Sequence, residues 1–462
     1  MTMKTRDYTR LMSHFADEHA KRSPQSAALH DRASKSMIDG GSNTLRLLHP
    51  FSPRIISAKG AWIQDEDEHR ILDFWQGHHA NILGHNPELV TRALAEFFGS
   101  GVGLQTGFTD RLQIEVAEII CRQTGAERVR FTTTGALATM NAIILARAFT
   151  GRDLIMKVGG GWHGGHPWGL KGVGYHDGFA GSDSAGVPAS VNDKIIITNY
   201  NNTEKLKDHF RQYGDQLACF IVEPVIGGGG LMPAQKEYLQ TARTLTQQYG
   251  TVLICDEVIS GFRFRAGNVA ALYDVQPDLT TLGKVIGGGM PVAAVAGRMD
   301  ILRLAGKGGT VKFDGGTYAA HPASLLAGKI LLQHLIEHEA AIYSQLYAIA
   351  AQLREMVTKA FAAENIYARF AGDRNRDLPG NSLHMLLFPF KEDCALSTPE
   401  EVRNPAVCDL ILSEKVLQLG LLLENVFTIH GLGSNSAAHT ETDLQFLGDA
   451  CRQFARRVKS CL

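Results

Sequence analysis

Neither sign of charge dominates this chain: 46 Lys and Arg stand against 47 Asp and Glu, a formal net charge of −1. That balance gives no electrostatic reason to bind nucleic acid or an anionic membrane, so small molecules or proteins are the expected partners. Cysteine is sparse and follows no pairing pattern. The seven cysteines (Cys121, Cys219, Cys255, Cys394, Cys408, Cys451 and Cys461) are odd in number and include no CxxC. Cys219 in LACFIVEPV and Cys255 in TVLICDEV lie inside apolar runs. They read as small core residues in a reducing compartment rather than as a disulfide frame or zinc site. No apolar run approaches the roughly 20 residues that span a bilayer. A short basic patch followed by an apolar stretch is also missing at the N-terminus, so no secretory signal is expected and the cytoplasm is the expected location. Internal repeats and low-complexity tracts are absent.

What is present is bulk and rhythm. The chain has 462 residues, 44% of them hydrophobic. At about 150 residues per domain, two or three lobes are expected. Residues 1–36 are polar and charge-mixed, with the weak helical pattern LMSHFADEHA, and read as an arm or surface helix. Residues 37–109 are loop-rich but contain GAWIQDEDEHRILDF, a hairpin pattern with its polar turn at Asp65–His69. From 110 to 320, helical stretches alternate with short apolar runs: VRF, DLIMKV, KIIITN, LACFIVEP and TVLICDE. Runs of that length, rich in Val and Ile, predict a mostly parallel buried sheet in an α/β lobe. Residues 321–462 carry a long helical pattern from Ala323 to Phe361, short strand candidates, a helix near 405–419 and a closing helix after Thr440.

In open α/β sheets, ligands sit beyond the carboxyl ends of the strands, and the chemistry-bearing residues fall there one after another. FTTTGALATMNAIILARAFTG places Gly135 and Ala136 at a helix start, where free backbone N–H groups and the helix dipole favour phosphate. Ordinary N-capping by Thr134 explains the same residues. GGGWHGGH offers Trp162, which can stack on a planar ring, and His163. His163 and His166 have no carboxylate or cysteine beside them in sequence, so no metal site is expected. Glu223 closes the buried strand of IVEPVIGGGG, as a structural or cofactor-site carboxylate. LICDEVISGFRF then ends an apolar strand in Asp256 and Glu257. A carboxylate there is costly to bury without a partner charge, and a protonated pyridine nitrogen is one. TLGKVIGGGMP sets Lys284 among apolar and glycine residues, where a desolvated amine can form an imine with a cofactor aldehyde.

Taken together, DEVISGFR, LGKVIGGGMP, the opening hairpin, ILGHNPE and the late SAAHTETD resemble the class III aminotransferases of the fold-type I pyridoxal-phosphate enzymes. The closer likeness is to the glutamate-1-semialdehyde aminomutase branch. The resemblance implies a large lobe with a mostly parallel seven-stranded sheet and a smaller α+β lobe built from both termini. It implies pyridoxal 5'-phosphate held as a Schiff base on Lys284, with Lys284 also shuttling protons. Asp256 would pair with the pyridine nitrogen, Val258 would pack on one ring face, and Trp162, before His163, takes the stacking position on the other. Gly135 and Ala136 would hold the phosphate, and Glu223 would lie near the cofactor. Thr317, in GGTYAAHP, matches the threonine that reaches the neighbouring subunit's phosphate, which implies a homodimer with shared active sites. Arg46 matches an arginine that binds substrate carboxylate, and Phe427 and His430 are candidate pocket contacts.

The chain departs from the family at three places. Leu137 replaces the glutamate of an SGTEA-like motif, Ala136 removes a hydroxyl, and AAHP at 319–322 replaces an SGNP-like run. The expected reaction is transamination between an amino acid, β-amino acids included, and a keto acid. The alternatives are an aminomutase, a racemase or epimerase, and a catalytically silent cofactor-binding protein. Fold likeness alone does not select among them.

Overall fold

A computed structural model describes residues 6–462 apart from 102, 105, 106, 177, 314 and 379. Its centre is a seven-stranded sheet. In chain order the strands are β1 (Arg128–Thr132), β2 (Leu154–Val158), β3 (Ile195–Thr198), β4 (Leu217–Val222), β5 (Val252–Glu257), β6 (Leu279–Leu282) and β7 (Ala293–Gly297). Their spatial order is β1-β7-β6-β5-β4-β2-β3. Only β7 runs antiparallel to its neighbours, while β6, β5, β4, β2 and β3 pair in parallel. Every residue of β4 and β5 is buried. Helices cover both faces of such strands, which is why they read as unbroken apolar runs. On one face Ala138, Ala142, Ile143 and Leu145 of helix Gly135–Thr150 pack on Cys219, Ile254 and Val295. On the other, Phe220 and Leu253 meet Tyr238, Leu239 and Ala242 of helix Lys236–Tyr249.

The smaller lobe joins the two ends of the chain. Strands Ile55–Lys59, Trp62–Asp65 and Arg70–Asp73 form an antiparallel meander, as the hairpin pattern predicts. Val426–Phe427 then adds to Arg70–Asp73 in parallel. The pattern from Ala323 to Phe361 is two helices, Pro322–Glu337 and Glu339–Ala362. They break at His338. Leu331, Leu332 and Leu335 of the first and Ile342, Tyr343 and Leu346 of the second pack toward the large lobe, whereas Ile349, Leu353 and Val357 further along the second pack with the small one.

The N-terminal segment is more deeply built in than its polar composition suggests. Helix Thr9–Arg22 turns one stripe, Tyr8, Leu11, Met12 and Phe15, onto the small lobe. Phe15 is fully buried beneath the Arg457 guanidinium, 4.3 Å from the ring centre. Tyr8 donates its hydroxyl to Asp409 at 2.7 Å, and Arg22 donates to Leu423 O and Asn425. The stripe is only one residue wide per turn, so charged flanks mask it in the sequence. Helix Pro24–Ala33 follows, and Arg54 reaches back from the meander to Gly40 O at 3.0 Å, fixing the base of the loop that carries Arg46. No helix among the described residues is long and apolar enough to cross a membrane.

Candidate active site

The carboxyl ends of β1, β2, β4, β5 and β6 open onto one cavity of about 910 Å³. Gly135, Ala136, Trp162, His163, Glu223, Asp256, Val258, Lys284 and Arg46 all line it. Thr317 does not. It is exposed, in the segment after Gly315, whose carbonyl accepts from Thr133 N at 3.1 Å.

Asp256 is the most tightly specified side chain of the site. Its Oδ1 accepts from Val258 N at 3.1 Å and from Thr281 Oγ1 at 2.9 Å, and its Oδ2 lies 2.7 Å from His163 Nδ1. Asp256 and Thr281 are direct partners across β5 and β6, which puts Lys284 just beyond the end of the neighbouring strand. Burial pushes the His163 ring below its ordinary pKa, although Asp256 pulls it the other way. A neutral ring donating Nδ1–H fits both facts, and it leaves the buried Nε2 without a partner among the described residues. Sequence reasoning placed His163 at the cofactor but gave no sign of its contact with Asp256, 93 positions away.

Lys284 opens a short 3-10 turn, Lys284–Gly287, in a left-handed conformation with φ +47°. A non-glycine residue there is uncommon, and such strain concentrates where a side chain must be aimed. Burial pushes its amine below the usual lysine range, opposed by Asp256 and Glu223. Glu223 accepts from Trp162 N at 2.9 Å and Gly227 N at 3.0 Å. Burial and the neighbouring Asp256 push its carboxyl up to about 8, against those two donors.

The loop carrying Trp162 and His163 is anchored from beneath by Lys157 of β2. Fully buried, Lys157 donates Nζ–H to Gly161 O, Gly169 O and Lys171 O at 2.8–2.9 Å. Burial pushes this amine down to about 8. Thr139 Oγ1 donates to His163 O, tying the loop to helix Gly135–Thr150. At that helix's start Thr134 caps Leu137 N at 3.3 Å, so capping is real, yet it leaves the N–H groups of the cavity-lining Gly135 and Ala136 without a partner among the described residues. Gly135 is required here: a Cβ would stand 2.7 Å from Val258 Cγ1. A Cβ at Gly164 would stand 2.5 Å from that of Ala136.

The residues present therefore fit a flat, anionic, aldehyde-bearing cofactor. Helix-start N–H groups could take a phosphate, Trp162 and Val258 offer surfaces for two ring faces, a buried carboxylate could meet a ring cation, and a desolvated amine, near Asp256 and Glu223, forms no ion pair among the described residues. Comparison with known proteins agrees. The family model Aminotransferase class-III matches residues 49–368. A glutamate-1-semialdehyde 2,1-aminomutase of Laribacter hongkongensis is 37% identical over 438 residues, covering 93% of this chain and 99% of that one. A solved transaminase with PLP bound superposes with a TM-score of 0.82 at 27% identity, covering 95% of this chain and 98% of the other. A beta-phenylalanine aminotransferase from Variovorax paradoxus gives 0.83 at 25% identity, covering 98% and 99%. This chain is a fold-type I enzyme that works with pyridoxal 5'-phosphate, and it belongs to the class-III aminotransferase family.

Proposed function

We propose that the protein is a cytoplasmic homodimeric aminotransferase that moves an amino group between a carboxylate-bearing amino acid and a keto acid. The observation that carries this reading is the meeting of Asp256 and Lys284 at the ends of adjacent strands in one cavity, with Thr281 bonded between strands. When bound, the cofactor supplies an electrophilic carbonyl carbon and an electron-withdrawing ring that loosens bonds at the Cα of an amine. The protein does the rest. Lys284 Nζ would hold the cofactor until the substrate amine displaces it, and the freed amine would then move the substrate Cα proton. The Asp256 carboxylate, oriented by His163, Thr281 and Val258 N, would favour a proton on the ring nitrogen. Trp162 and Val258 would pack on the ring faces, Gly135 and Ala136 N–H groups would bind the phosphate, and Glu223 orients Trp162 through its backbone. Arg46, exposed at the rim with no acidic partner among the described residues, binds the substrate carboxylate.

A screen of α-, β- and ω-amino donors against pyruvate and 2-oxoglutarate tests the reaction. Transamination yields one new amino acid per keto product released, and Arg46→Ala raises KM for the donor about tenfold or more while changing kcat less. The 37% identity to an aminomutase supports a second reading, transfer of nitrogen within one molecule. An isomer formed without any acceptor and without a free carbonyl product would replace the first reading with the second.

Thr317, exposed and away from its own cavity, supports a site completed across a dimer. Phe98, Leu104, Phe108, Ile114 and Tyr318 are all more than 40% exposed, an apolar surface suited to a second copy. All seven cysteines are free, as a reducing compartment requires. Mixing Lys284→Ala subunits with Thr317→Ala subunits is expected to restore activity toward about one quarter of wild type, because half the dimers then hold one intact site. No recovery after verified subunit exchange would place Thr317 outside the partner's site.

A further inference from the structure

The cavity wall facing away from the strand ends is built by the small lobe: Pro53, Ile55, Ala58, Ile63, Trp75 and Phe427. Its central ring is aimed by an unusual piece of backbone. Gln76, Gly77, His78 and His79 have φ of +45°, +63°, +59° and +68°, four left-handed residues in succession. Non-glycine residues occupy that region at a cost, and it persists only where surrounding bonds over-determine it. They do so here. Asp73 accepts from Trp75 N at 2.7 Å and Gln76 N at 2.9 Å, and Gln76 Nε2 donates back to Asp73 O at 2.8 Å. His79 O accepts from the buried Arg263, and His79 Nδ1 lies 3.1 Å from Ser434 Oγ. Trp75 is backed by the His78 ring at 4.9 Å and flanked by Phe427 at 6.3 Å. His78 in turn meets His430 at 5.7 Å.

The charges on this wall are few. Lys284 belongs to the cofactor. Of the two lining histidines, His85 is bonded to Asp73 at 2.6 Å and His163 to Asp256. His78, behind the wall, is neutral at pH 7: burial, with Lys284, His430 and Arg46 nearby, pushes it down to about 3. Among the described residues this leaves Arg46 as the only cation free for an anion, beside a broad apolar and aromatic surface. A second carboxylate laid against Trp75 and Phe427 would lose its water and find no counter-charge.

We propose that Trp75 and Phe427 are specificity-determining residues that select an amino substrate with a single carboxylate and a bulky apolar, aryl-bearing side chain. This rests on the transamination reading and narrows its substrate. A phenyl ring buried against such a wall raises affinity on the order of 10- to 100-fold over a methyl group by transfer from water alone.

The test uses the holoenzyme and two unreactive acids, 3-phenylpropionate and succinate, with binding followed by calorimetry. 3-Phenylpropionate is expected to bind at least about tenfold tighter. Trp75→Ala and Phe427→Ala should each collapse that ratio, and Trp75→Phe should keep most of it, with the cofactor's visible absorbance checked in every variant. Equal binding of the two acids, or a ratio unmoved in both alanine variants, overturns the proposal. A parallel turnover arm compares 3-amino-3-phenylpropanoate with β-alanine. A retained preference for phenylpropionate without turnover of any donor removes the transaminase reading but leaves the wall's selectivity standing, whereas turnover that favours β-alanine removes the selectivity alone.

Discussion

Replacing Lys284 with alanine will abolish transamination and remove the visible band of the lysine-linked cofactor. One amine carries two duties here, covalent attachment and proton transfer at the substrate Cα. Positioned acid–base catalysis alone supplies about 10²–10⁴-fold, so single-turnover rates should fall by at least roughly 10³-fold when covalent attachment is lost as well. The loss should be chemical rather than architectural. The Lys284 side chain makes no hydrogen bond among the described residues, and its backbone already sits at φ +47°, a conformation alanine tolerates poorly but the Lys284–Gly287 turn enforces. Added methylamine, small enough to enter a cavity of about 910 Å³, should restore part of the rate. A Lys284→Ala enzyme with undiminished single-turnover rates would end the assignment.

Asp256→Asn should be the next most damaging change. The substitution keeps the shape of the side chain and removes its charge, so a ring nitrogen above it no longer holds a proton favourably. Removing one partner of a buried charge pair costs about 3–5 kcal/mol, or roughly 10²–10⁴ in the rate of the proton-transfer step. The three contacts around the carboxylate make the result diagnostic. Val258 N and Thr281 Oγ1, which share Oδ1, still find the amide oxygen, but the amide's N–H₂ takes the place of Oδ2 and opposes the donor His163. Cofactor affinity should therefore fall along with kcat, measured by dialysis and absorbance. A variant losing affinity but not rate would show that Asp256 anchors the cofactor without tuning it.

Much of this site is legible in the chain because strand ends are legible. Buried parallel strands must be apolar throughout, so an Asp or Glu closing such a run, as in TVLICDE, announces a partner. What escapes is whatever depends on distance in sequence. His163 and Asp256 are 93 residues apart and meet only because β2, β4 and β5 lie side by side. The strand β7, Ala293–Gly297, is hidden because AAVAG holds a single β-branched residue, Val295, among alanines and glycine; its place is set by pairing between β1 and β6. The left-handed turn at Gln76–His79 is equally hidden. Only Gly77 hints at positive φ, while the other three residues are held there by Asp73, Arg263 and Ser434. The N-terminal helices read as an arm since a single stripe through Phe15 carries their burial.

Lys157 adds a last consequence, one of simple valence. An ammonium has three hydrogens, and three carbonyls around it are each served by one. A neutral amine has two. With its pKa brought down to about 8, mild alkalinity strips one proton and leaves one of those carbonyls unserved beneath the Trp162 loop. The stacking platform is thus fastened by a rivet that loosens as the solution turns basic, while the strands on either side, held by backbone pairing and apolar packing, do not respond.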